Sequence, residues 1–302
     1  MSVAVTGVAP RRHRWRWRDQ AAVIGLGLLA LLVATAILAP ELAPFDPTAI
    51  SIRERLRPPV WLDGGSWRHP FGTDHLGRDV LSRVIFGTRV SLIAGVSVVA
   101  IAGVFGTVVG LVAGFVGGRF DALVMRWVEV HVAFPGLLLA LLIIAVLDPS
   151  LLTVIIALSI NGWMVFARLV RNIVLSTRAL PYVEAAEVIG CRPPRVIFRH
   201  ILPNLAAPVM TLAVLEFARV VLAEAALSFL GVGIQPPATS WGLDVAGGRN
   251  YLFNAWWLVT FPGLAITFTV LGVNFLASWL RVVFDPHEGE KRFARSVANR
   301  ES

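Results

Sequence analysis

The stretch PYVEAAEVIGCRPPRVIFRHILP (181–203) joins two apolar runs, Leu151–Leu169 and Leu205–Leu230. The stretch itself is charged and interrupted by prolines. A run of about 20 mostly apolar residues is long enough to cross a bilayer as a helix. The pattern therefore predicts a polar connection between two membrane spans, and the rest of the chain can be searched for further spans.

The composition of the whole chain also points to lipid as its solvent. Of its 302 residues, 56% are hydrophobic and 15% are charged, whereas a soluble domain carries about 25% charged residues. Long continuous apolar runs exclude a β-barrel, and backbone groups in lipid must be satisfied within a helix. We predict an all-α polytopic membrane protein with six transmembrane helices. Their ranges are Ala21–Ala39, Val90–Val116, Ala122–Leu147, Leu151–Leu169, Leu205–Leu230 and Trp256–Val283.

The distribution of Arg and Lys predicts the orientation of these spans. Basic residues concentrate in 11–18, in 168–199 and from Arg281 onward, and basic loops stay in the cytoplasm. Both termini and the loop at about 172–204 are therefore predicted to be cytoplasmic. The predicted organisation is a basic cytoplasmic segment 1–20, a first span 21–39, an extracytoplasmic loop 40–89 with a short amphipathic helix, a transmembrane core 90–283 and a cytoplasmic tail 284–302.

The segment RRHRWRWR (11–18) has two readings. Arg and Trp next to a span anchor it in the headgroup layer, and an RNA-binding arm would have a similar composition. Because the segment directly precedes a span, we interpret it as a lipid contact and expect no nucleic-acid partner.

Glycine and proline predict how the spans pack and bend. Gly106, Gly110 and Gly114 are four residues apart, so they share one helix face that lets another helix approach closely. Pro135-Gly136 and Pro262-Gly263 fall within the third and sixth spans. Breaks of this kind suit helices that bend or line a cavity.

The 181–203 stretch has the signals of two short helices. Pro181 suits a first helical turn, and Glu184 favours the positive end of the helix dipole. Gly190 fits the left-handed residue that ends a helix. A second helix is predicted to begin at Pro193 or Pro194 and to end before Pro203. The small side chains of this first helix predict a surface made to fit another protein.

The same stretch resembles the EAA loop of ATP-binding-cassette (ABC) importer permeases. The residues that match that pattern in register are Glu184, Ala185, Ala186, Gly190, Leu202 and Pro203. Two further stretches, HPFGTDHLGRDVLSRVIFGTRVSL (69–92) and EAALSFLGVGIQPPATSWG (224–242), are similar to the OppC/DppC-type subunits of oligopeptide and dipeptide importers. The stretch LGVNFLASWLRVVFDP (271–286) resembles them too, with Ala277-Ser278 where Gly-Asp is expected.

This resemblance implies a set of partners for a bacterial cell-membrane importer. The EAA loop would be a coupling helix that docks on one or two cytoplasmic ABC ATPase subunits, which bind ATP and Mg²⁺. A second homologous permease would complete the pathway, and an extracytoplasmic binding protein would deliver peptide. The residues implied at the ATPase contact are Glu184, Ala185, Ala186, Gly190, Arg195 and Pro203.

The sequence independently assigns ATP hydrolysis to another chain. A P-loop needs a glycine-rich run followed by Lys and Ser or Thr. Lys291 is the one lysine here, and Arg292 follows it. We therefore predict a chain that is not itself an enzyme, with no cofactor of its own, no catalytic residues and no metal site.

Two further groups of residues are candidates for function. Charges within a span are functional candidates, and the fifth span contains Glu216, Arg219 and Glu224. Glu216 and Arg219 are three residues apart and can pair on one face. We predict that these three residues line the translocation pathway or contact the second permease. Candidates for binding-protein docking on the predicted outer loops are Asp74, Arg78, Asp79, Gln235 and Trp241.

Other classes of function stay open on the residues alone. A self-contained secondary transporter or channel would need charges at mid-membrane, which Glu216, Arg219 and Glu224 supply, and an inverted repeat, which we do not find. An integral membrane enzyme would need clustered His, Asp or Glu at an interface, which we do not find. Within the ABC family, nickel, glutathione or another small solute are alternatives to peptide.

Overall fold

The computed structural model describes residues 13–284, and these residues form helices with no strand. The basic segment up to residue 12 and the predicted tail from residue 285 onward lie outside the described residues. The helices in chain order are α1 (His13–Ile37), α2 (Ala39–Leu42), α3 (Val80–Val116), α4 (Gly118–Val132), α5 (Gly136–Leu147), α6 (Leu151–Arg178), α7 (Pro181–Val188), α8 (Pro193–Val196), α9 (Leu202–Phe229), α10 (Trp241–Gly248) and α11 (Trp257–Val283).

Five helices are long and apolar enough to cross a membrane: α1, α3, α6, α9 and α11. The α4 and α5 helices form a sixth candidate, a pair bent by 86° at the break between them. The break lies at Ala133–Pro135, where the sequence predicted an interruption. The all-helical fold is confirmed, and the described residues contain five candidate spans, or the predicted six if the bent pair crosses as one span.

The glycine face of α3 packs against α6. A side chain at Gly106 would collide with the carbonyl oxygen of Trp163, and one at Gly110 would collide with that of Ala167. A Cβ atom at Gly114 would lie 3.0 Å from the carbonyl oxygen of Arg171. The close approach predicted for these glycines is confirmed.

The α3 helix begins earlier than predicted. The stretch from Val80 to Arg89 is not a separate surface helix, because it continues without a break into the membrane span. The side chain of Asp79 caps the helix by accepting a hydrogen bond from the backbone N–H of Ser82 at 2.7 Å. The apolar stripe at the start of the helix packs on residues near α10 and α11 rather than on a lipid surface; Val80, for example, packs with Trp257 and Leu258.

Two predicted proline breaks are wrong. Pro262 lies inside α11, which continues through it, because neighbouring helices stabilise a proline within a membrane span. Pro203 does not end the helix that begins at Pro193. A π-helical turn, Ile197–Ile201, joins α8 directly to α9, and this wider turn accommodates a residue that has no N–H to donate.

The chain between α2 and α3 folds together with the chain around α10 at one end of the bundle. We call this region, residues 43–79 and 235–256, the cap. The indole N–H of Trp257 donates to the carbonyl oxygen of Thr73 at 3.2 Å, and that of Trp241 donates to Val84 at 2.9 Å. The 181–203 segment lies at the opposite end of α3, because Arg178 donates to the carbonyl oxygen of Phe115 at 2.6 Å.

Candidate functional site

The turn that follows α7 has the geometry that the sequence predicts. Pro181 occupies the first helical turn, and Gly190 has a φ of 82°. The N–H of Gly190 donates to Glu187 at 3.0 Å, and the N–H of Cys191 donates to Ala186 at 3.0 Å. These two bonds form a Schellman motif, which closes a helix through a left-handed residue.

One side of the 181–203 segment is anchored in the bundle. Val183, Val196 and Ile201 are buried and pack with Val170 and Val174 of α6. Arg178, just before α7, also lies over the ring of Phe115 at 4.9 Å. The segment is therefore attached to the long helices by apolar packing and does not hang from them as a tether.

The opposite side of the segment exposes apolar side chains. Val188, Ile189 and Phe198 are 85%, 80% and 69% exposed. Sequence reasoning missed all three residues, although Val188 and Ile189 directly precede the Gly190 turn, which was a usable signal. Large exposed apolar surface can mark a site that another molecule covers. We call these three residues the apolar tip.

The residues predicted from the EAA pattern divide between the two sides. Glu184, Ala185, Arg195 and Pro203 are exposed, as a contact surface requires. Ala186 is buried and faces the bundle. Its small side chain permits close packing within the chain, so the expectation that Ala186 forms the outward surface is wrong.

An ion pair ties the neighbouring helices together near this segment. The Nε atom of Arg171 in α6 donates to Asp121 in α4 at 2.9 Å, and its Nη2 atom lies 2.5 Å from the other carboxylate oxygen. Such a bidentate pair fixes both distance and orientation. A displacement of α6 would therefore be passed to α4.

The charges within α9 have two different environments. Arg219 and Glu216 pair as the spacing predicted, with the Nε atom of Arg219 donating to Oε2 of Glu216 at 2.7 Å. Glu216 is buried, but 51% of the Arg219 side chain is exposed. Arg219 also lines a cavity of about 480 Å³ between α5, α6 and α9. This pair therefore lies at an accessible space within the bundle.

Glu224 is fully buried between α9 and α3. Its carboxylate accepts hydrogen bonds from Ser228 at 2.8 Å and from Ser91 at 3.4 Å. It is not among the residues that line the cavity. Ser91 lies 133 residues away in the sequence, so spacing could not reveal it, whereas Ser228 lies four residues along the same helix and is a local partner that sequence reasoning missed.

The candidate docking charges in the cap bond to one another. Asp74 accepts from the Nε atom of Arg78 at 2.6 Å. Asp79 accepts from Ser82 and also contacts Nδ1 of His69 at 2.9 Å, while Nε2 of His69 contacts Glu54 at 2.9 Å. Both ring nitrogens of His69 thus lie within hydrogen-bond distance of carboxylate oxygens. These charges stabilise the cap from within.

A second charge pair joins the cap to α3. The Nε atom of Arg83 donates to Asp244 in α10 at 2.8 Å, and Nη1 donates to the carbonyl oxygen of Pro47 at 3.1 Å. Trp241 is buried in this region, whereas Gln235 is exposed. Sequence reasoning missed Arg83 and Asp244 as partners because 161 residues separate them.

The cap also shifts the pKa values of three acids, and hydrogen bonds from Thr48 lower the pKa of Asp46 below its usual value. The hydrogen bond to His69 lowers the pKa of Glu54 below its usual value. Burial raises the pKa of Asp244, although the charge of Arg83 acts in the opposite direction. Among residues 13–284, no group of three or more His, Cys, Asp or Glu is arranged to hold a metal ion.

The described residues thus form a bundle of candidate membrane spans with one bent pair, a cavity beside a paired charge and a packed connection between α6 and α9. Comparison with known proteins identifies the class of protein to which this bundle belongs. Residues 106–289 match the model of the family described as binding-protein-dependent transport system inner membrane component. Residues 15–59 match the N-terminal transmembrane domain of oligopeptide transport permease C.

Similar proteins cover almost the whole chain. The di/tripeptide transport system permease protein DppC of Pseudomonas aeruginosa is 41% identical over 92% of both chains. The dipeptide transport system permease protein DppC of Escherichia coli is 40% identical over 92% of this chain and 94% of its own. That of Haemophilus influenzae is 37% identical over 92% and 95%. The chain therefore belongs to the family of inner-membrane permease components of binding-protein-dependent transport systems.

Proposed function

We propose that this chain is a transmembrane permease subunit of an ABC importer for short peptides. It forms half of the translocation pathway with a second, homologous permease, and an extracytoplasmic binding protein delivers the peptide. The peptide substrate is supported by the names of three relatives that are similar over at least 92% of this chain. ATP and Mg²⁺ bind to the partner ATPase subunits.

The apolar tip carries the proposal of coupling. Three large apolar side chains face outward on a segment that is packed against α6. A cytoplasmic ATPase that covers this tip would push on α6, and through the Arg171–Asp121 pair on α4. With the 181–203 segment in the cytoplasm, the cap lies on the outer face of the membrane. Glu184, Ala185, Gly190, Arg195 and Pro203 belong to or border the proposed contact.

The candidate pathway residues have separate proposed roles. Arg219 lines the cavity between α5, α6 and α9, which we assign to the pathway, and Glu216 pairs with Arg219. A role of Glu224 in the pathway or at the second permease stays a prediction. In the cap, Gln235 offers an exposed side chain to a binding protein, and Asp74, Arg78, Asp79 and Trp241 would support the docking surface from below.

The assembly is tested by purifying the tagged chain from its native membrane in mild detergent and identifying its partners by mass spectrometry. We expect a second permease and P-loop ATPases. Reconstituted with its binding protein, the complex should take up trialanine in an ATP-dependent manner. A chain that repeatedly purifies alone would overturn the proposal.

The Gly190 turn gives a sharper test of coupling. No atom lies within 4 Å of a Cβ added at Gly190, so Gly190→Val introduces backbone strain of about 1–2 kcal/mol without a collision. We expect the variant to insert normally and to lose peptide-dependent ATP hydrolysis. Gly190→Asn is the matched control, because Asn tolerates the left-handed region; equal activity of the two variants would contradict the role of the turn.

A further inference from the structure

The cavity between α5, α6 and α9 is built mostly from apolar side chains and has few polar groups. Of the residues that line it, Arg219 is the charged one, and Asn161 is the polar one. Ligand sites commonly combine an apolar wall with a small number of placed polar groups. A volume of about 480 Å³ is within the range of small-molecule sites.

The Arg219 guanidinium is only partly used by Glu216. Its Nε and Nη2 atoms both approach the same oxygen, Oε2, at 2.7 and 2.5 Å. A guanidinium carries five N–H donors, so this side-on pairing leaves donors for a second acceptor. Half of the side chain is exposed, and it lies about 15 Å from the C-terminal end of α9. At that depth a charge is retained for a pathway and not for contact with lipid.

The structure holds the surroundings of Arg219 in place. Asn161 donates through Nδ2 to the carbonyl oxygens of Gly136 and Ala157, at 3.1 and 3.0 Å, which fixes the start of α5 against α6. Nη2 of Arg219 would lie 3.9 Å from a Cβ atom at Gly162, so a larger residue would crowd the guanidinium. The first turn of α5 lines the same cavity, and its helix dipole adds positive potential there.

We propose that Arg219 binds the carboxylate of a peptide in transit, while the apolar wall of the cavity receives its side chains. An Arg fork matches a carboxylate in charge and in planar geometry. Glu216 holds the guanidinium in position and competes with the passing carboxylate, which keeps the site from retaining its ligand. This inference rests on the proposed function, since it names the group of the peptide that the pathway recognises.

The test measures occupancy of the cavity in the assembled transporter without binding protein. Ala223 lines the cavity, so Ala223→Cys in a Cys191→Ser background provides a thiol for maleimide labelling in nanodiscs. We expect trialanine to slow this labelling and trialanine amide to leave it unchanged. Arg219→Gln should raise the trialanine concentration for half protection about tenfold or more, as expected for a lost hydrogen bond to a charged group.

Further variants separate carboxylate binding from a structural role of the pair. Glu216→Gln frees the guanidinium, so it should strengthen protection by trialanine; a purely structural pair would make Glu216→Gln and Arg219→Gln equally defective, which overturns the proposal. Ala-Glu-Ala amide tests which carboxylate of a peptide binds, because its only carboxylate is the Glu side chain. If it protects the thiol, the site also binds acidic side chains. If it does not protect the thiol, the site binds only the peptide C-terminus.

The outcome for the native complex separates this inference from the proposed function. ATP-dependent uptake of trialanine without protection of the cavity thiol, or with equal protection by trialanine and its amide, overturns the carboxylate site alone. Absence of uptake by the fully assembled native complex would instead overturn the proposed peptide transport.

Discussion

The cap and the 181–203 segment lie at opposite ends of the bundle and differ in which side chains they pair internally and which they expose. Charged groups of the cap are paired, either with one another, as in Asp74–Arg78, or with the adjoining helix α3, as in Asp244–Arg83. In the 181–203 segment, one face is packed and the other leaves Ile189 and Phe198 in contact with solvent. The cap thus pairs its named charges within this chain, although it also leaves the apolar side chains of Trp67 and Phe253 exposed, whereas the exposed side chains of the 181–203 segment lie on a connection packed against α6.

This difference separates charges that stabilise from side chains that bind. Charged residues in a loop suggest a docking surface for a partner protein. Whether these charges can contact a partner depends on how far they are buried and hydrogen-bonded within the chain. Asp79 has a helix cap and His69 as partners, so little of its bonding capacity faces outward. The apolar tip has no comparable internal contact among the described residues, and its exposure is the stronger sign of a binding surface.

The largest expected effect comes from breaking the pair that joins the cap to α3. Arg83→Ala would leave Asp244 buried without its ion-pair partner, and removing one member of a buried pair costs about 3–5 kcal/mol. The thermal unfolding of the purified chain, followed by tryptophan fluorescence, should shift strongly downward.

Arg68→Ala is the matched control for this experiment. Arg68 also pairs with an acid in the cap, but it is 64% exposed and lies 3.5 Å from Glu54. Exposed pairs contribute about 0–1 kcal/mol, so the control should unfold close to the native chain. Equal shifts for the two variants would mean that the Arg83 pair does not stabilise the cap.

The next effect is on assembly rather than on stability. Phe198→Asp places a charge in the apolar tip, and the loss of a buried aromatic contact at an interface typically costs about 2 kcal/mol or more. We expect co-purification of the ATPases to fall sharply while the chain itself unfolds at an unchanged temperature.

The cap supplies the control for the tip. Phe253 is 99% exposed at the other end of the bundle, so Phe253→Asp makes the same chemical change away from the proposed ATPase contact. It should leave ATPase co-purification intact. A loss of ATPases in both variants, or in neither, would contradict the assignment of the apolar tip as the ATPase surface.

Local patterns predicted a large part of the fold and some of the candidate site. Apolar runs predicted the spans, Pro135-Gly136 predicted the bent pair, and Gly190 predicted the left-handed turn, because each depends on neighbouring residues only. The Glu216–Arg219 pair followed from helical spacing in the same way.

Features that depend on distant contacts were not predictable from local patterns. Asp244, the partner of Arg83, and Ser91, one of the two partners of Glu224, come from other helices, and the burial of Ala186 depends on how α7 lies on α6. Pro262 looks like a helix break in the sequence, but helix α11 continues through it. These features depend on tertiary packing, which the spacing of residues along the sequence cannot reveal.

The smallest expected effect is a pH dependence within the cap. Because the hydrogen bond to His69 lowers the pKa of Glu54 in the folded chain, ionised Glu54 stabilises the fold. This contribution is complete above the usual Glu value of 4.5 and is lost as the pH falls through the lower, folded-state value. Glu54→Gln should therefore unfold at a slightly lower temperature than the native chain near pH 6, by about 1 kcal/mol or less, and the gap should close below pH 4.5.

His69→Gln supplies the comparison that makes this prediction specific. Without the ring, Glu54 loses the main cause of its lowered pKa, so adding Glu54→Gln to His69→Gln should change the unfolding temperature little at any pH between 4 and 6. If Glu54→Gln still lowers the unfolding temperature in the His69→Gln background, the stabilisation by Glu54 comes from its other neighbours, such as Arg68. A difference that disappears there would show that the contact between His69 and Glu54 stabilises this end of the molecule, whereas the buried side of the 181–203 segment is packed against α6 by apolar side chains.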